Sequence, residues 1–189
     1  MDAIEVRDKP VSGVSLTGMV VFLASEIFLF GSLFFTYFYL KINTRPWPPA
    51  GVSLDTNLAA VNTAVLVCGS AMVWGASSLV RRGKMFATQA ALLLASLLGF
   101  AFLAITGWEW AHESFQPWTN AYGSIFFTLT GFHALHVFGG AMLMLALSIR
   151  ARRGKYTAGN HTGIEVGALY WHYVDVIWIL VFTTLFFIR

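Results

Sequence analysis

The chain has 189 residues, 57% of them hydrophobic and only 11% charged, with a net charge of +3. Soluble domains carry about 25% charged residues, so a soluble fold of this size would lack the polar groups to cover its surface. The basic residues sit in short clusters between apolar runs, which excludes a phosphate-binding face and nucleic acid as a partner.

Residues 1–14 are polar and of mixed charge, and the apolar stretch behind them is too long for a signal h-region. No cleaved leader is expected, and the first span is expected to stay in the membrane. Residues 1–15 read as an inner tail and residues 16–189 as one domain of five transmembrane helices. The expected spans are about 16–40, 57–80, 86–110, 122–149 and 163–188. Each approaches or exceeds the ~20 apolar residues that cross ~30 Å of hydrocarbon. Continuous rather than alternating apolarity selects helices over a barrel. The fold class is therefore an all-α integral membrane bundle.

In the first span Glu26 lies near mid-membrane, beside Ser25, Gly31 and Ser32. An ionisable group there costs roughly 2.5–3.5 kcal/mol on insertion scales. It reads either as a protonatable group facing a polar or lipid-filled cleft, or as a protonated carboxyl hydrogen-bonded inside the bundle. The second span carries Cys68, the one cysteine, which excludes an internal disulfide and thiolate clusters and reads as a small buried packing residue. Along the third span Ala87, Ala91, Ala95 and Gly99 recur every four residues, a stripe that lets helices approach. Glu109 and Glu113, flanking His112 at its end, read as a solvated loop edge.

His133 and His136 stand three apart on the fourth helix and are expected to share a face. Two axial haem ligands come from facing helices, so hydrogen-bonded packing histidines are the simpler reading. The basic segment after this helix holds Arg150, Arg152, Arg153 and Lys155. These are inner-leaflet anchors, and each charge near anionic headgroups is worth ~1 kcal/mol. Gly163 and Gly167 form a G-x-x-x-G at the start of the fifth span. Glu165 lies near His161 and is expected to pair with the basic loop. His172 and Asp175, again three apart, read as an ion pair or shared proton that eases burial of both.

With the N-terminus inside, inner segments hold nine lysines and arginines and outer ones three. That asymmetry predicts N-inside and C-outside. Trp47, Trp108, Trp110 and Trp118 then fall near the outer surface. No Walker loop, G-x-G-x-x-G, H-E-x-x-H or nucleophile elbow occurs. Catalysis by this chain alone, and a metal or cofactor held by it, are not expected.

Five segments in order resemble a known family. They are Ser25-Glu26 opening an aromatic-rich helix, Asn62-Thr63, Tyr122-Gly123-Ser124 with Thr130 to Val137, His161 to Glu165, and Tyr170 to Val176 with Trp178. Together they resemble subunit III of the haem-copper oxidases, nearest to cytochrome c oxidase subunit III in its short five-helix bacterial form. Many members have seven spans, and this chain resembles those without the first two, so a lipid cleft flanked by them would be more open or closed by another subunit.

The resemblance implies a non-catalytic subunit beside oxidase subunit I, with subunit II and others in the complex. Haems and copper are then expected in partner subunits, and bound phospholipid on this one. It implies support for proton uptake and for the stability of subunit I, in a bacterial inner membrane. Glu26 matches the family's cleft carboxylate, while Arg150, Arg152, Arg153 and His161 correspond to its lipid-headgroup region. His133, His136, Glu165, His172 and Asp175 remain buried polar structural candidates. Subunit III of a quinol oxidase, a nitric oxide reductase accessory protein, a haem-binding electron carrier and an independent transporter are the competing readings.

Overall fold

The computed structural model describes residues 14–188; the expected inner tail, apart from Val14 and Ser15, lies outside the described residues, as does Arg189. Five helices follow one another: α1 (Val14–Asn43), α2 (Thr56–Arg81), α3 (Met85–His112), α4 (Ala121–Arg152) and α5 (Thr162–Phe186). All five are long and apolar enough to cross a membrane. At ~1.5 Å per residue each exceeds the ~30 Å of hydrocarbon. Among the described residues there is no strand, only an isolated bridge between Thr157 and Asn160.

Local chemistry sets the helix starts. The Asp55 carboxylate accepts from the backbone N–H groups of Asn57 and Leu58 at 3.0 and 3.1 Å. Asn120 Oδ1 accepts from Gly123 N–H at 2.7 Å. Each satisfies donors that the first helical turn leaves free. Asn120→Ala is expected to lower stability by about 1 kcal/mol, checked by thermal unfolding of the detergent-solubilised chain.

The backbones of α2, α3, α4 and α5 form a closed ring of neighbours, while α1 leans only on α4 and α5. Burial follows this plan: 11% of the apolar window of α1 is buried against 50% of that of α5. Polar side chains stitch the ring where lipid offers no competing water. Asn62 donates to Thr106 Oγ1 on α3 at 3.0 Å, and Trp178 on α5 donates to Thr63 Oγ1 at 2.9 Å. Ser96 and Ser148 donate across the α3–α4 seam to the carbonyls of Ala141 and Gln89.

The centre is a slot for one indole. A Cβ on Gly99 would stand 2.9 Å from Trp171 and 3.0 Å from Ala141. On Gly69 or Gly140 it would stand 3.1 Å from the same indole. Three helices therefore close on Trp171, which is 2% exposed. Of the small-residue stripes, Gly99 meets α4 and α5, and Gly163 and Gly167 lie against Tyr156 and Leu147. Cys68 is exposed rather than buried, because α2 turns Leu66, Gly69 and Ser70 inward instead.

Candidate functional site

Mid-bundle, Glu26 on α1 meets His136 on α4, Oε2 to Nε2 at 2.9 Å, with both side chains about seven-eighths buried. His136 Nδ1 lies 2.7 Å from the Phe132 carbonyl. A carbonyl only accepts, so Nδ1 carries a hydrogen and Nε2 and Glu26 share one further proton. Tyr170 O–H donates to the His136 carbonyl at 3.0 Å, and Phe30 places an edge against the imidazole at 5.1 Å.

His133 does not join this node. It is fully buried, stacked on Trp178 at 4.8 Å and edge-on to Phe102 at 5.7 Å, with neither ring nitrogen hydrogen-bonded. The expected common face is thus divided: His133 belongs to the α3–α5 side and His136 to α1. On α5 no ion pair joins His172 to Asp175. Instead Ser70 of α2 meets His172, its hydroxyl 3.3 Å from Nδ1. The expected direct tie gives way to a link from His172 to α2 through Ser70.

At the end where α4 stops and α5 begins lies a pocket of about 750 Å³. Arg150, Arg153 and Lys155 supply its charge, and Leu143 and Leu147 its apolar wall. The Arg150 guanidinium also lies 5.6 Å from the Tyr156 ring centroid. Arg152 is exposed and does not line the pocket. His161 is engaged elsewhere: its Nε2 lies 3.2 Å from Glu165 Oε1. Glu165 Oε1 also pairs with Arg81 at the end of α2, at 3.1 Å, and not with the arginines of residues 150–153. This pair is exposed, and such pairs contribute about 0–1 kcal/mol.

The opposite end holds the largest departure from the expected arrangement. Glu109 is buried, not solvated, at 7% exposure, and its Oε1 has no hydrogen-bond partner. Glu113 and Asp55 lie beside it around a pocket of about 240 Å³. Burial, and then the Asp55 charge, push the Glu113 carboxyl up to about 7. Trp108 and Trp118 are exposed here, whereas Trp47 packs on Tyr37 and Tyr122 and Trp110 on Phe127. Among the described residues no three His, Cys, Asp or Glu side chains converge as a metal site.

The family model described as Cytochrome c oxidase subunit III matches residues 7–189. The chain belongs to the cytochrome c oxidase subunit III family. Two relatives covered over most of their own length agree. Cytochrome c oxidase subunit 3 of Thermostichus vulcanus is 35% identical over 170 residues, covering 89% of this chain and 85% of the relative. Probable cytochrome c oxidase subunit 3 of Nocardia farcinica is 36% identical over 176 residues, 91% and 87% of the two chains. Cytochrome c oxidase subunit 3 of Oncorhynchus mykiss is 35% identical over 89% of this chain but 67% of the relative.

As a subunit III of a haem-copper oxidase, the chain is a multi-pass membrane protein of a multi-subunit oxidase complex. The subunit III motifs lie largely at helix contacts. Asn62-Thr63 stitches α2 to α3 and α5, Trp171 fills the glycine slot, and Trp178 covers His133. Reading the sequence alone missed Ser70 and Arg81 as partners, and the burial of Glu109. The Arg81–Glu165 pair had a signal, since the end of the second span and the start of the fifth were expected on the same side; Ser70 had none.

Proposed function

We propose that this subunit III holds anionic phospholipid against a catalytic subunit I that carries the haems and copper, and does no redox chemistry itself. The observation that carries this reading is the amphiphilic pocket at the α4–α5 turn. Three cations beside leucine walls suit a phosphodiester whose acyl chains continue along the helices. Lysines and arginines crowd this end, which favours an inner location with the N-terminus inside. Relatives named as cytochrome c oxidase subunits favour cytochrome c over quinol as the complex's electron donor. The setting is a bacterial plasma membrane, with subunit I in direct contact and subunit II in the same complex. Retained lipid on this face supports proton uptake and the stability of subunit I during turnover.

The test is lipid analysis of the purified oxidase carrying Arg150→Gln and Arg153→Gln. Removing two charges at ~1 kcal/mol each weakens anionic-lipid retention about thirtyfold, with phosphatidylcholine retention little changed. Inactivation during turnover should quicken. Lipid content and inactivation rate both equal to wild type would remove the pocket from this role.

A further inference from the structure

An acidic pocket lies where α2 begins and α3 ends, at the end of the bundle opposite the basic one. Its walls come from the segment before α2, which brings Ser53 and Asp55, and from the end of α3, which brings Glu109, His112 and Glu113. Asp55 Oδ1 already accepts two backbone N–H groups, which holds that carboxylate in place beside the pocket. His112 uses Nδ1 on the Trp108 carbonyl at 2.8 Å and stacks on the Trp108 ring at 4.2 Å.

Glu109 is the anomaly. Its side chain is more than nine-tenths buried, it lines the pocket, and Oε1 has neither donor nor cation. No ion pair reaches Asp55, Glu109 or Glu113 among the described residues. A buried carboxyl left unmatched is costly, and two more carboxylates beside it make ionisation costlier. What is missing is positive charge.

Two cations fit that chemistry, a metal ion or a basic side chain. A metal draws its oxygens to about 2.0–2.6 Å, so its ligands must already converge. These acids do not converge on a single point. A guanidinium or ammonium presents several N–H donors that reach acceptors spread around a pocket. We propose that this pocket is a socket for a lysine or arginine side chain from another subunit of the oxidase. The complex to which a subunit III belongs supplies such neighbours, and Leu58 and Trp108 in the wall suit the aliphatic stem of the incoming side chain.

The experiment compares carboxyl labelling by a water-soluble carbodiimide with a small amine, on the wild-type oxidase and on the full chain released from it in detergent. Glu113, which burial and then the Asp55 charge push up to about 7, has no cation beside it in the released chain and should label readily there. In the complex the seated cation covers it, and labelling should fall about tenfold or more. Equal labelling in both states overturns the proposal. Shielding in the released chain that disappears in Arg189→Gln assigns the cation to this chain's own terminus and also overturns it.

Glu109→Gln with Glu113→Gln supplies a second reading in the assembled oxidase. The variant subunit should leave the complex about tenfold faster than wild type at equal salt. Release that is unchanged, or that depends on calcium and chelator instead of on these carboxyls, counts against a basic side chain.

Discussion

Trp171→Ala is expected to cost about 3–5 kcal/mol. In lipid the apolar tails are as good a solvent as leucine, so helices associate through close packing and not through escape from water. Removing the indole therefore empties a space that α2, α3 and α4 were shaped to meet, at Gly69, Gly99 and Gly140. The three glycines cannot close over the void without drawing their helices together.

Gly99→Val makes the converse change. It brings a branched side chain within 2.9 Å of the indole and 3.0 Å of the Ala141 Cβ. Overpacking of this kind costs about 1–3 kcal/mol. Thermal unfolding in detergent, followed by circular dichroism, measures both. A Trp171→Ala loss below about 1 kcal/mol would show that the slot is not what holds the helices together.

The five helices were legible because hydrocarbon admits few alternatives. Long apolar runs must satisfy their backbones internally. Gly99 on α3 and Gly163 and Gly167 on α5 were also legible, since a four-residue spacing of small residues marks one face of each helix. Rotation and partner choice were not. His133 and His136 differ by about 60° around a helix, and α4 has neighbours on several sides. That angle places one against α3 and α5 and the other against α1.

Cys68 was misplaced for the same reason. An apolar run shows no clear polarity difference between its lipid face and its packed face. Glu109 was hidden by its surroundings, Trp108, Trp110, His112 and Glu113, which read as an amphipathic exit from the membrane. Only the fold brings Asp55 across from the other side of α2. The basic pocket was half visible: Arg150 and Arg153 converge with Lys155, while Arg152 and His161 turn to other surroundings.

The second large effect concerns α1, which has few other holds on the bundle. Glu26 and His136 are separated by 110 positions and joined at 2.9 Å. Wherever the shared proton sits, the pair is neutral overall, which is the form hydrocarbon tolerates best. Glu26→Ala leaves Nε2 unmatched. The loss is expected at about 3–5 kcal/mol if the pair is ionic, and about 1–3 kcal/mol if it is a neutral hydrogen bond.

His136→Ala should match Glu26→Ala, and the double variant should cost no more than either alone. Additive losses in that cycle would mean that the two side chains do not act on each other. Glu26→Gln separates the tie from its charge, because the amide N–H still donates to Nε2 and α1 stays docked. The assembled oxidase should then differ from wild type only in how quickly it inactivates during turnover. Identical inactivation would leave Glu26 as a helix fastener and move any role in proton handling to other residues of the complex.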